Sequence, residues 1–173
     1  VFVELRDAVD PTVVIETRSA LVQRDGDVVD PTDGVSSLQF IGLFGQNVFV
    51  SVKHRNHLGV MAANPIQLTT VGNLGDFTIA EDDDVYDIPG AIDYDGLEQV
   101  TVNGVRALWA GNTNIDEKVK YQGPATDNGP ILVHVLTDPT NGALSYNYDN
   151  SFGYETSDVN MDGKIKYQGV RND

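Results

Sequence analysis

Two stretches of the chain place oxygen-bearing side chains at alternate positions. Asp158 to Gly169 reads DVNMDGKIKYQG, and Asn112 to Gly123 reads NTNIDEKVKYQG. Aligned on a shift of 46, Asn112 pairs with Asp158, Asn114 with Asn160, Asp116 with Asp162, Lys118 with Lys164 and Asp127 with Asp173, and the tripeptide Tyr-Gln-Gly recurs. Such an internal repeat marks one structural unit used twice. Oxygens at positions 1, 3 and 5, a glycine at 6 and a backbone carbonyl at 7 let a short loop wrap one side of a hard cation such as Ca²⁺. In the second copy these are Asp158, Asn160, Asp162, Gly163 and the carbonyl of Lys164, with Ile165 following as an anchor to the core. An EF-hand closes with a bidentate glutamate at position 12. Here position 12 is Gly169, and the next acid is Asp173, matched by Asp127 in the first copy. The expectation is a longer loop, closed by Asp173 and by Asp127, with one Ca²⁺ in each copy. In the first copy the set is Asn112, Asn114, Asp116 and the carbonyl of Lys118, and it is the poorer one, because Asn112 removes a charge and Glu117 stands where a positive φ is costly for a side chain.

The elements that must carry these loops read as mainly β. VFVELRD, VVIETRSALVQ, SLQFIGLF, NVFVSVKHR and PIQLTTV alternate with period two and are rich in β-branched and aromatic residues. Turn residues separate them at Asp10-Pro11, Asp25-Gly26, Asp33-Gly34, Gly45 to Asn47 and Asn64-Pro65. Strands at this spacing predict an Ig-like antiparallel β-sandwich over residues 1–80. An acidic connection, 81–99, follows and contains EDDDVYDIPGAIDYD; the duplicated calcium-loop region, 100–173, comes after it. Within that region ILVHVL, 131–136, reads either as a strand or as one or two buried helical turns, since its length does not decide.

Composition excludes several functions. With 26 acids against 11 bases the net charge is −15, which repels nucleic acid and anionic lipid surfaces. No run approaches the roughly 20 apolar residues of a membrane helix, so insertion is not expected. There are no cysteines, hence no disulfide, thiolate metal site or cysteine nucleophile. The chain opens on an apolar alternation with no basic or apolar leader pattern, the expectation for a processed, exported form. Two bound calcium ions would offset part of the acidic excess.

Other polar groupings carry less. His54 and His57 in HRNH fall on opposite faces of a strand unless the chain turns at Asn56, so packing or turn hydrogen bonding is the expected role. His134 within ILVHVL reads as a partly buried residue with a satisfied hydrogen bond. Asp25, Asp27, Asp30 and Asp33 either hold a third cation or form a hairpin turn with an acidic loop after it. Tyr146, Tyr148, Phe152 and Tyr154 lie in a Gly/Asn-rich stretch as core, as interface, or as a platform for stacking sugars. No carboxylate pair stands out at glycosidase spacing, and no nucleophile elbow, phosphate loop or dinucleotide fingerprint is present, so no enzyme is expected.

DVNMDGKIKYQG resembles the calcium loop of dockerins. The wider set, VELRD, TRSALVQRDGDVVD, VSVKHRNHLGVMA, LWAGNTN and the paired KYQG loops ending in Asp, resembles a module found near the ends of large secreted surface proteins of Bacteroidota. That resemblance implies an extracellular or cell-surface location, calcium-stabilised folding and a non-catalytic adhesive or structural role. True dockerins follow each loop with a helix that carries cohesin contacts, a pattern we do not read in KYQGPATDNGPIL or KYQGVRND, so cohesin binding is not implied. The reading that follows is a structural protein partnered by copies of itself in a fibre or surface layer, with its first strand donated to a neighbour's sheet edge. The alternative is a module that binds a polysaccharide or the cell surface.

Overall fold

The computed structural model describes residues 1–72, 75–79, 84–87 and 99–173. Among them are eleven short strands and one helix, so the chain is mainly β. The residues group into two compact units: Val1–His54 with Gly59–Leu108, and Arg55–Leu58 with Trp109–Asp173. Residues 100–108, which composition places in the second half, thus group with the first unit. Of the acidic connection only Asp84–Asp87 and Gln99 fall among the described residues.

In the first unit β1 (Phe2–Asp7) lies between β2 (Val14–Ser19) and β5 (Asn47–Lys53), antiparallel to both. The far edge of β5 is shared by β6 (Val60–Met61), opposite Ser51 and Val52, and β7 (Ile66–Gln67), opposite Asn47 and Val48. The period-two alternation dictates which side chains meet: Val3 stands opposite Val52 and Leu5 opposite Val50, and Val3, Leu5 and Val48 are buried. Phe49 on the other face of β5 is buried too, its ring edge-on to Tyr86 at 5.6 Å between centroids. Val60 and Val85 form a further apolar cluster with Val52, Phe77 and Leu108. Among the described residues the unit also holds two hairpins, β3 (Leu21–Val22) with β4 (Val28–Val29), and β8 (Val100–Val102) with β9 (Val105–Ala107). Asn103 and Gly104 between β8 and β9 both have positive φ, as the tight two-residue hairpin turn requires.

SLQFIGLF does not form the expected strand. Gly42 and Gly45 adopt φ of +89° and +83°, which breaks the extended run despite its apolar alternation, and Phe40 instead lies 5.7 Å from the Arg18 guanidinium. The Asp25–Asp33 stretch is the β3–β4 hairpin with an acidic loop after it. Its carboxylates close their own turns: Asp30 accepts from the Thr32 N–H at 2.8 Å, and Asp33 from Val35 and Ser36, both at 2.9 Å.

These turns set the acid response. The Ser36 hydroxyl and then the Ser36 and Val35 N–H groups hold the Asp33 carboxyl down at about 2. Hydrogen bonds from Thr32 and Thr78 lower Asp30 and Asp76, and the N–H groups of Asp10 and Val9 lower Asp7. A carboxyl depressed in the folded state contributes stability above its unfolded value, about 3.9, and that contribution disappears as pH falls through the folded value. Calorimetry should therefore show the first unit's melting temperature falling between about pH 4 and about pH 2. Ser36→Ala should make that fall shallower; an unchanged slope would contradict the assignment.

In the second unit ILVHVL belongs to α1 (Asn128–Thr137). Pro130 in its first turn, where an N–H has no intrahelical partner, favours the helix start. Ile131 and Val135 bury one face of α1 against Ile165 of β11 (Lys164–Ile165), which pairs with β10 (Ser151–Phe152). Tyr148, Val159 and Tyr167 pack round that cluster. Asn141, buried, closes the end of α1 by donating to the carbonyls of Val135 and Ser145 at 2.8 and 3.0 Å. A helix does follow the first loop, contrary to the expectation from KYQGPATDNGPIL.

Candidate metal centre

The two loops follow the same backbone path. Residues with positive φ occur in register at the 46-residue shift: Ile115 with Met161 (both +59°), Glu117 (+63°) with Gly163 (+80°), Gly123 (+95°) with Gly169 (+104°), and Ala125 (+54°) with Arg171 (+57°). A positive φ is uncommon outside glycine and costs roughly 1–2 kcal/mol for a side chain. Glu117 adopts this conformation with its side chain, where its counterpart in the second copy is Gly163.

Each loop is drawn tight by its own oxygens. In the second copy Asn160 Oδ1 accepts from the Asp162 N–H at 2.9 Å, Asp162 Oδ1 from Lys164 at 2.9 Å, and Asp158 Oδ2 from Gly163 at 3.3 Å. In the first copy Asn112 and Asn114 accept from the Asp116 N–H, each at 3.1 Å, and Asp116 from Lys118 at 3.1 Å. These are Asx-type turns, in which a side-chain oxygen takes the N–H of a residue a few positions further on and folds the loop back on itself.

The distant aspartates latch the loops shut. Asp173 Oδ1 accepts from the N–H groups of Val159 (2.9 Å) and Asn160 (3.2 Å), and Oδ2 from Lys166 (2.8 Å). Asp127 repeats the pattern, Oδ1 accepting from Thr113 at 2.9 Å and Oδ2 from Lys120. Both aspartates stand at the expected closing position. Their first partners are backbone N–H groups, and each oxygen retains lone-pair capacity. Burial, and in smaller measure the neighbouring charge of Asp158, pushes the Asp173 carboxyl up, against the opposing pull of those three N–H groups. A carboxyl raised in the folded state lowers stability above its usual value, so without a cation this loop carries a penalty at neutral pH.

Asp158 holds the decisive atom. It is 1% exposed, its Oδ2 pairs with Arg55 at 3.2 Å, and its Oδ1 has no hydrogen-bond partner. A buried carboxylate oxygen left without a partner is destabilising. Arg55 is itself covered by the exposed ring of Tyr154, 3.6 Å from guanidinium to centroid. The donors round the loop are all hard oxygens, the chemistry of Ca²⁺ rather than of zinc or copper. Among the described residues no three His, Cys, Asp or Glu side chains cluster as a metal site, so a cation here would need the asparagine oxygens and the Lys164 and Lys118 carbonyls as well.

Asn56 is the residue that sequence reasoning missed. It is fully buried; its carbonyl accepts from the N–H groups of Gly111 (2.9 Å) and Asn112 (3.0 Å), while its Nδ2 donates to the carbonyls of Thr156 (3.1 Å) and Asp158 (2.6 Å). One residue thus ties position 1 of the first loop, through its backbone carbonyl, to position 1 of the second, through its side chain. HRNH drew notice for its histidines. In the structure the chain turns at Arg55 and Asn56, and His57 Nδ1 lies 2.8 Å from Asn56 Oδ1. Burial, then the charge of Arg55, lowers the His57 pKa and so favours the neutral ring. Of the aromatics, Tyr148 is committed to the core cluster and its hydroxyl donates to Thr140 at 2.6 Å, whereas Tyr146, Phe152 and Tyr154 are exposed.

No family model, no curated protein and no solved structure matches this chain.

Proposed function

We propose that this protein is a non-catalytic structural component of the cell exterior, stabilised by two Ca²⁺ ions and assembling with copies of itself into a fibre or surface layer. The observation that carries the calcium reading is the partnerless, buried Oδ1 of Asp158 at position 1 of a loop whose path is repeated in the first copy. In the second site Asp158, Asn160, Asp162, the Lys164 carbonyl and Asp173 would hold the ion. In the first the set is Asn112, Asn114, Asp116, the Lys118 carbonyl and Asp127. Strained loop conformations persist where something over-determines them, and a cation drawing on several oxygens does so. Sites with few carboxylates are weak, in the range of about 10⁻⁴–10⁻³ M for extracellular modules, and would fill where calcium is abundant. This supports an extracellular location and accords with the resemblance to secreted Bacteroidota surface modules.

For the first unit we assign an Ig-like sandwich, because neighbouring residues Val48 and Phe49 are both buried and both faces of β5 are therefore covered. Strand addition between subunits is the assembly mode we favour. Since β1 already has partners on both edges, donating it means exchange for the acceptor's own copy, which gains no net ladder; addition at an open edge does. The exposed Tyr146, Phe152 and Tyr154 favour the second reading, attachment to a polysaccharide. Light scattering with negative-stain imaging separates the two. Extended or sheet-like particles in calcium that disperse in chelator are the expected result. Monomers under all conditions, with saturable binding on a glycan array lost in Tyr154→Ala, would replace assembly with attachment.

A further inference from the structure

We infer that the outer edge of β2 is a contact surface for a second copy of this chain, pairing antiparallel about a twofold axis through Thr17. The inference deepens the self-assembly reading by naming its contact, and it rests on that reading. Val1 and Ala20 exchange both backbone bonds, Val1 N to Ala20 O and Ala20 N to Val1 O, each 3.0 Å. Backbone groups alternate in direction along an antiparallel strand. Glu16, Arg18 and Ala20 therefore face β1, while Thr17 and Ser19 point their N–H and C=O groups away from it. Among the described residues those groups have no backbone partner. The opposite edge of the sheet differs, because Met61 and Ala63 bond onward to Tyr86 and Asp84. Exposed apolar side chains line the chain on either side of this segment, at Val13, Val14, Ile15, Leu21 and Val22. An open, partly apolar strand edge is a template for another strand.

Charge selects both partner and register. With outward groups at Thr17 and Ser19, a second β2 can pair with Thr17 on Thr17, with Thr17 on Ser19, or with Ser19 on Ser19. The second option sets Arg18 against Arg18, and the third sets it against Ala20. The first sets Glu16 of each copy against Arg18 of the other, so that the Glu16–Arg18 pair made within each strand at 2.7 Å joins its counterpart in an alternating square of charges beside a Thr–Thr pair, both combinations that favour pairing. The Leu5/Arg6 register shift leaves Ile15 as an extra residue in β2, which ends the regular run and further limits sliding. A two-fold contact of this kind is self-complementary and closes as a dimer, the unit from which a larger assembly is built.

The chain has no cysteine, so Thr17→Cys places a single thiol on the proposed axis. Hydrogen-bonded antiparallel partners lie about 5.5 Å apart at Cα, inside the range that a disulfide spans. Under mild oxidation in calcium, Thr17→Cys should give covalent dimer about tenfold or more faster than Ser19→Cys, whose thiol would face Ile15. Glu16→Arg should weaken self-association, and adding Arg18→Glu should restore it. Equal rates for the two cysteine variants, or no rescue by the second charge reversal, would overturn the contact. Native particles without selective cross-linking sink this contact and leave assembly standing. Selective cross-linking without extended particles does the reverse.

Discussion

Relative to protein in calcium at about one hundred times its Kd, excess chelator should lower the melting temperature of the Trp109–Asp173 unit by roughly 10–20 °C for each site emptied, and leave the first unit's transition nearly unmoved. A ligand bound only by the folded state at one hundred times its Kd contributes about 2.7 kcal/mol, and in a unit of this size each kcal/mol moves the midpoint by about 4–8 °C. The direction follows from the loop's own electrostatics. Asp158 has a partnerless oxygen in the interior, and Asp173 is a carboxyl that burial and its neighbour push toward neutrality. A divalent cation bound in the loop, as proposed, would supply the missing partner and relieve the repulsion. Asp162→Ala should act as chelator does on the second site and leave the first site titratable. Differential scanning calorimetry with and without calcium gives both numbers, and superimposable curves would argue against both sites.

Asn56→Ala should destabilise the second unit by about 2–4 kcal/mol, since it strips donors from two carbonyls, one of them in fully buried surroundings, and each such loss costs about 1–3 kcal/mol. The effect should also appear as weaker calcium binding, chiefly in the second loop, whose first residue loses the donor that fixes its carbonyl. The first loop should be affected less, because it is held by the Asn56 backbone carbonyl, which alanine retains. Chemical denaturation followed by calcium titration of the same variant reads both effects. Loss of stability with both affinities intact would reduce Asn56 to packing alone.

The repeat of the two loops was legible because it lies in residue types at fixed spacing, and the 46-residue shift carries over into matched backbone angles. Strands β1 and β5 were legible for a similar reason, their alternation being long enough to set a register. SLQFIGLF misled because alternation says nothing of backbone sign, and two glycines turned the chain where the apolar pattern suggested extension. For ILVHVL the signal lay outside the apolar run: Asn128, Gly129 and Pro130 make a helix start, and Pro130 speaks against a strand interior. The outward edge of β2 required knowing which amides β1 had taken. Asn56 could not be read at all, because its partners lie 100 and 102 residues further along the chain. Local pattern does not encode a hub whose spokes are so distant.

The most direct test of the central claim, that each twin loop closes round a divalent cation, is elemental analysis of protein purified without chelators and dialysed to equilibrium against about 10 mM calcium, with the calcium of the dialysate subtracted. The account predicts calcium at close to two equivalents per chain, falling to about one in Asp162→Ala. No calcium in the unaltered protein beyond that of the dialysate would contradict it.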